Sequence, residues 1–374
     1  MRVLITGGGT GGHINPALAI AQKIKNENPS NEILYVGTKN SLESELVPKA
    51  GFEFGYVSAK YLRRKISLEN IKTLFASAKG VVDSLKIINQ FKPDIVVGTG
   101  GYVCGPVVLA ASLKKIPTMI HEQNVFPGIT NKILSKIVDV VAISFDEAEK
   151  YFPEDAVKKL VLVGNPVRKD ILTADRKKSR IKLNLSTDTI LIYSFGGSGG
   201  QPSLNKAIID VIKKYNKKRG IRIIHVTGKN HYSDFMDQIN EDNIDIGDNI
   251  EILDYMYDAA TALSASDIVI GSAGAITIAE ITVTGVPAVL IPKMYTAENH
   301  QEYNARALEK VGAAKVILEK NLNGSELIKA IEEIIENKSV LRTMSLNSKK
   351  MGNTDVENKI YESMLKLINL KSKK

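Results

Sequence analysis

The strongest constraint on the fold is a pattern that occurs twice: an apolar strand-like run, a glycine cluster, then apolar residues at helical spacing. MRVLIT leads into GGGTGG and HINPALAIAQKI; near mid-chain TILIYSF leads into GGSGG and QPSLNKAIIDVIKKY. Glycines between a short apolar run and a helix mark the turn of a β-α unit. Free backbone N–H groups and the positive helix end make such a turn attractive to anions. Further strand-like runs alternate with helical ones: EILYVG, DIVVGTG, TMIHEQ, VVAIS and LVLVG after the first turn, then RIIHVTG, IEILDYM, DIVIGSAGA, AVLIP and KVILE after the second. That alternation is the signature of mostly parallel sheets with crossover helices.

A chain of 374 residues exceeds the roughly 250–300 at which single cores stop growing. The repeated plan therefore predicts an α/β protein of two Rossmann-like domains, divided where Gly164, Asn165 and Pro166 punctuate the last strand of the first half. The expected domains are 1–164 and 165–353, with an amphipathic stretch at 354–374 returning to the first as a final helix. Ligands of open α/β sheets bind outside the carboxyl ends of the strands. Two parallel sheets facing an interdomain cleft would offer anion sites on both walls and room for two substrates.

Gly7, Gly9 and Gly12 satisfy G-x-G-x-x-G, which makes an NAD-type oxidoreductase the first reading. That fingerprint also needs an acid at the end of the second strand to hold a ribose. The second run ends in Gly37, Thr38 and Lys39, and its acid, Glu32, lies at the wrong end. The loop thus reads as anion-preferring without being built for an adenosine ribose.

The lone cysteine, Cys104, excludes an internal disulfide and a cysteine-based zinc cluster, as suits a reducing, cytoplasmic setting. No run of 18 apolar residues occurs, and the first residues enter a strand directly, so neither a spanning helix nor a signal peptide is expected. Membrane contact would be peripheral. The net charge is +9, and residues 60–92 hold eight Lys or Arg against Glu69 and Asp83. Cations there interleave with Ile66, Leu68, Ile71, Leu74, Phe75, Val81, Val82, Leu85 and Ile87, the pattern of a basic amphipathic surface helix that anionic lipid would attract. A solvated helix face packed on the sheet fits the same pattern. Nucleic acid is not expected as a partner, because no recognised binding motif accompanies the charge.

Taken together and in order, GGGTGGHINPALAI, GTGGYVCGP, HEQNVFPGITNK, VGNPVR, GGSGG, SAGAITIAE and AENHQEYNA make the chain resemble the MurG glycosyltransferases. These are GT-B enzymes that add N-acetylglucosamine to lipid I, undecaprenyl-pyrophosphoryl-MurNAc-pentapeptide, to form lipid II in peptidoglycan synthesis. The resemblance implies a peripheral protein of the cytoplasmic face of the bacterial cell membrane, with other cell-wall synthesis proteins as possible partners. It further implies that the carboxyl-terminal half holds UDP-GlcNAc. Glu280 would take the ribose hydroxyls, the backbone near Met256 the uracil edge, and Ala275, Ile276 and Thr277 the helix end at the phosphates.

By the same resemblance Ser198, flanked by Gly196, Gly197 and Gly199, approaches the diphosphate, and Arg168 meets the leaving phosphate. Gln301 and Asn124 contact the sugar or its phosphates, while Thr10, Gly11 and Gly12 line the first loop, whose glycines accept the acceptor's pyrophosphate or crowd the donor sugar. His121 and His300 read as structural. The α-linked donor and β-1,4 product imply inversion by one displacement, with His13 as general base and Glu122 as the second candidate. No two aspartates lie two residues apart, so no metal and no cofactor are expected. Ser272 stands where the family commonly carries arginine; Lys229 or Arg306 could supply that charge. Another GT-B enzyme using a UDP-sugar and a membrane-lipid acceptor, such as diacylglycerol, a non-catalytic sugar-nucleotide or lipid binder, and an NAD oxidoreductase remain alternatives.

Overall fold

The structure, a computed structural model, describes residues 1–60, 68–197 and 199–372. Thirteen strands are present among them. The first seven are β1 (Arg2–Thr6), β2 (Glu32–Gly37), β3 (Glu53–Tyr56), β4 (Ile95–Gly98), β5 (Thr118–Glu122), β6 (Val140–Ile143) and β7 (Leu160–Leu162). They form one sheet in the order β3-β2-β1-β4-β5-β6-β7, every pair parallel. The remaining six are β8 (Ile190–Phe195), β9 (Ile221–Val226), β10 (Ile250–Leu253), β11 (Ile268–Gly271), β12 (Ala288–Leu290) and β13 (Ala314–Val316). Their order is β10-β9-β8-β11-β12-β13, again all parallel.

Each sheet therefore reverses its strand order once, beside its first strand, and that reversal opens a crevice at the carboxyl ends. In the first sheet the crevice lies between β1 and β4, in the second between β8 and β11. Helices cover both faces, so β1, β4 and β11 read as continuous apolar runs and are almost wholly buried. The edge strand β3, EFGY, is half exposed and short; its weak pattern escapes a reading by periodicity.

Contacts divide the chain into two units, Met1–Pro166 with Asp355–Lys374, and Val167–Thr354. The final helix, Val356–Ser372, belongs to the first unit for a simple reason. Val356, Ile360, Met364 and Leu367 recur at helical spacing and sink into the cluster of Val3, Ile5, Ile20 and Ile24. Burying four such side chains stabilises the docking by about 1.5–3 kcal/mol each. Lys371 completes it with a 2.7 Å ion pair to Asp139.

Residues 61–67, with Arg63, Arg64 and Lys65 of the basic run, lie outside the described residues, as does Ser198. The helix Leu68–Phe91 follows, with Ile88 buried and Val82 52% exposed. Among the described residues no helix is long and apolar enough to cross a membrane.

Candidate active site

In the first unit the loop after β1 and the loop after β4 meet backbone to backbone. Gly8 N donates to Gly100 O at 3.2 Å. A side chain at Gly7 would stand 2.0 Å from Thr99 Oγ1, so this glycine is required by the protein's own packing. Cys104 ties the two strand ends from below, its buried thiol between Thr6 O and Gly100 O at 3.1 and 3.0 Å, and burial pushes that thiol up to about 12. It is a packing group.

The helix Gly11–Glu27 opens with Thr10 at its N-cap, and no side chain caps it. Thr10 and Gly12 are exposed, and a side chain added at Gly11 or Gly12 would meet nothing nearer than 3.6 Å. Open space at a helix N-terminus is where a ligand can approach the backbone.

One acid alters the expected anion preference of this loop. Glu43 is fully buried, and its carboxylate accepts from Gly9 N at 3.2 Å, Thr38 N at 3.3 Å and Thr38 Oγ1 at 2.9 Å. Burial opposes its ionisation, but these hydrogen bonds outweigh it and hold the carboxyl below its usual range. The protein thus supplies its own anion beneath the glycines. The expectation of a vacant anion cradle is corrected accordingly for its Gly9 end. No spacing rule would find Glu43, which sits in the next helix, Leu42–Lys49.

His13 lies in the first turn of its helix. Its Nδ1 is 3.1 Å from both Thr99 O and Gln123 Oε1. Glu122, the second base candidate, is excluded by its surroundings: it is 1% exposed, and four donors occupy it. Asn124 N and Nδ2 donate to one oxygen at 3.0 and 3.2 Å, Gly128 N and Asn131 Nδ2 to the other at 3.1 and 2.9 Å. A carboxylate so engaged holds the loop 124–128 in shape and has no lone pair to spare for a proton. The Asn124 amide is therefore directed at Glu122. His121 is buried, donates from Nε2 to Gly164 O at 2.8 Å, and is held below the usual histidine range by burial.

In the second unit the loop after β8 and the turn after β11 form the corresponding crevice. A side chain at Gly197 would lie 3.2 Å from Ser272 Oγ. The helix Ala275–Thr284 follows Gly274, which offers no capping oxygen, so the N–H groups of Ala275, Ile276 and Thr277 lack intrahelical partners. Gln301 clamps this turn: its Oε1 accepts from Ala273 N at 3.2 Å and Lys293 N at 3.1 Å. Asn304 Nδ2 adds a bond to Ala273 O at 3.2 Å.

Glu280 and Arg168 are brought together, Nε to Oε1 at 3.4 Å, with Asp170 3.7 Å from the same guanidinium. Burial pushes the Glu280 carboxyl up to about 7, partly offset by Arg168. Arg168 is thus placed against carboxylates, with half its side chain exposed. Met256 is half-buried between Tyr255 and Tyr257, which are 40% and 79% exposed.

Among the described residues, neither cation named as a substitute for the arginine hydrogen-bonds the glycine turn. Lys229 stands over the rings of Tyr255 and Tyr257, and Arg306 pairs with Glu302 and Glu309 on its own helix. Lys293 does so, its Nζ donating to Gly200 O at 2.7 Å. Burial pulls its ammonium below the usual lysine range, with Glu319 pulling the other way. Glu319 itself accepts from Gln201 Nε2, Ser203 Oγ and Met294 N, and from none of the glycines. Lys293 was invisible to motif reading because it arrives from the end of β12, far along the chain.

Known proteins share this two-domain fold. Residues 3–143 match the glycosyltransferase family 28 N-terminal domain and residues 190–360 the family 28 C-terminal domain. The chain is 49% identical over 369 residues to a UDP-N-acetylglucosamine--N-acetylmuramyl-(pentapeptide) pyrophosphoryl-undecaprenol N-acetylglucosamine transferase of Clostridioides difficile, covering 99% of this chain and 90% of the relative. It is 47% identical over 371 residues to the enzyme of the same name from Alkaliphilus oremlandii, covering 99% and 100%. The crystal structure of Acinetobacter baumannii MurG superposes with a TM-score of 0.77 at 26% identity, over 98% of this chain and 99% of that one. A UDP-GlcNAc 2-epimerase from Neisseria meningitidis bound to UDP-GlcNAc shares the fold, with a TM-score of 0.67 at 16% identity, over 98% and 100%. With two family 28 domains in the order of the two crevices and relatives near half-identical along its length, the chain belongs to the MurG family of N-acetylglucosamine transferases.

Proposed function

We propose that this glycosyltransferase moves N-acetylglucosamine from UDP-GlcNAc to the MurNAc 4-hydroxyl of lipid I, forming lipid II. The unit Val167–Thr354 holds the donor, and the unit beginning at Met1 presents the acceptor. The observation that carries this division is the Lys293 ammonium on the Gly200 carbonyl, together with the half-buried Glu280 on the helix Ala275–Thr284 of the same unit. A diphosphate needs cationic and N–H donors, and a ribose needs a carboxylate that accepts from hydroxyls. Both stand in the second unit. The names of the relatives supply the sugar and the acceptor.

Within this reading Glu280 accepts from the ribose, the backbone at Met256 meets the uracil, and Ala275, Ile276 and Thr277 turn their N–H groups to the phosphates. Gln301, its oxygen already committed, offers its amide nitrogen to the sugar nucleotide. Arg168 neutralises Glu280 and stands ready for the departing phosphate. Thr10, Gly11 and Gly12 leave space for the substrate beside His13. The 4-hydroxyl passes its proton to His13 Nε2 as its oxygen bonds the anomeric carbon. The bond from that carbon to the phosphate oxygen breaks, and UDP leaves with the electron pair.

The acceptor's lipid brings the first unit to a membrane surface. Leu109, Leu113, Ile129, Ile133 and Ile137 are 37–64% exposed, on or just after two packed helices, Cys104–Leu113 and Ile129–Leu134. Lys114, Lys115, Lys132 and Lys136 lie among them. Apolar groups ringed by lysines favour an anionic bilayer interface.

The test is a transfer assay with labelled UDP-GlcNAc and a lipid I analogue. UDP release that requires the acceptor, with label appearing in a lipid product, supports the reading. Binding of the nucleotide without release would make the chain a sugar-nucleotide binder, and transfer to diacylglycerol in place of the lipid I analogue would change the acceptor.

A further inference from the structure

Gln123 is 1% exposed and stands between two histidines. Its Nε2 lies 2.9 Å from Thr99 O and 3.1 Å from His121 O. Both are backbone carbonyls, which only accept, so the amide nitrogen is the atom that faces them. On the same side Nε2 is 3.0 Å from His121 Nδ1. That ring donates from Nε2 to the Gly164 carbonyl at 2.8 Å, and burial keeps it neutral. Its single ring proton is therefore on Nε2, and its Nδ1 carries a lone pair for Gln123.

With its nitrogen so committed, Gln123 turns Oε1 to His13. Two oxygens, Gln123 Oε1 and Thr99 O, then face His13 Nδ1 at 3.1 Å each. A nitrogen between two acceptors is an N–H. The ring is also held flat against the chain: a side chain at Gly100, whose φ is +107°, would lie 2.8 Å from that same Nδ1. We infer that Gln123, oriented by His121 and the Thr99 carbonyl, is a positioning residue that keeps the proton of neutral His13 on Nδ1 and so presents the Nε2 lone pair to the acceptor hydroxyl. The inference rests on the reading of His13 as the base. The titratable groups on the surrounding elements are Glu43 beneath the loop, neutral His121, Glu122 with its four donors, Tyr35 on Gly7 O, Tyr102 beside Gly9 and the buried thiol of Cys104 on Gly100.

The experiment labels the five histidines with ¹⁵N and assigns His13 by its loss in His13→Gln. At alkaline pH the wild-type spectrum should show His13 protonated on Nδ1 and bare on Nε2; the opposite tautomer overturns the inference. In the transfer assay Gln123→Leu should lower kcat roughly 10- to 100-fold with the donor KM little changed, the usual scale for groups that orient a catalytic ligand. Unaltered kcat overturns it.

Gln123→Glu keeps an acceptor for the Nδ1 proton and adds a negative charge, which raises the imidazole pKa. The acid limb of the kcat profile should move up by about one pH unit or more, and alkaline turnover should exceed that of Gln123→Leu. A merely structural role would leave the limb where it was. Absence of transfer by the wild-type chain would defeat the proposed function while the tautomer spectrum stayed readable. Normal transfer with the wrong tautomer would defeat only the positioning role.

Discussion

The two glycine loops share one plan, strand to glycines to helix at a reversal of strand order, yet they carry opposite local charge. Under the first lies Glu43, ionised and bonded to Gly9 N. Beside the second lies Lys293, bonded to Gly200 O. Among the described residues no lysine or arginine hydrogen-bonds the first loop, and no carboxylate accepts from the glycines of the second. At about 4 Å and a surface-like dielectric, a unit charge is worth about 4 kcal/mol to another. A reversal of sign on that scale favours a diphosphate at the second loop over the first, as the proposed division requires. Two copies of one supersecondary unit are distinguished by residues that neither copy contains.

Five substitutions at four positions sharpen or break this comparison. The largest effect belongs to His13→Ala, which should cut kcat by about 10²–10⁴-fold, the usual contribution of a general base. The donor KM should barely move, since the proposed division of labour gives the nucleotide to the second unit. A variant with full turnover removes His13 from proton transfer.

Glu280→Ala should raise the donor KM by about 10- to 100-fold, since a hydrogen bond to a charged group contributes about 1.5–3 kcal/mol. Glu280 also carries a pH signature. Burial pushes its folded carboxyl up from the ordinary 4.5 to about 7. The folded state therefore binds more protons than the unfolded one across that window, and stability falls as pH rises through it. Ribose binding needs the ionised form, so donor KM should rise as pH drops below about 7. Glu280→Gln should flatten that dependence and melt at a higher temperature than the wild type at about pH 8, with little gain near pH 4. A pH-independent KM in the wild type would contradict the assignment.

Lys293→Met should raise donor KM about tenfold, with kcat less affected, as expected for a lost charge-assisted contact to phosphate. Equal donor affinity in the variant would take the cation out of the site and leave the helix N-terminus as the phosphate's support.

The smallest kinetic effect is expected of Glu43→Gln. It should cost about 1–3 kcal/mol in a denaturant titration, because donors lose a charged acceptor, and leave donor KM unchanged. A marked fall in donor KM would mean that the first loop binds the diphosphate after all, and the comparison would be reversed.

Much of the fold was legible along the chain. Twelve of the strands stand out as apolar runs, because strands buried on both faces need no alternation. The exception, β3, is a half-exposed edge of four residues, and four residues of mixed polarity carry no period. The positions of several candidate site residues were legible too: the glycine turns, His13 in the helix after the first, and Glu280 on the helix after β11. Glu122 misled, since a carboxylate in a motif beside histidine looks like a base. Only the four N–H groups around it show that it holds a loop.

What the sequence by itself determined was local: where the chain extends, where it turns on glycine, where it coils, and that this plan occurs twice. These follow from steric and hydrophobic preferences set within a few neighbouring residues. The charge beneath each loop, the two oxygens that face His13 Nδ1 and the pairing of Arg168 with Glu280 were decided only by tertiary structure. Glu43, Gln123 and Lys293 come from other β-α units. Coulombic and hydrogen-bond energies depend on distance through space, and folding alone sets that distance.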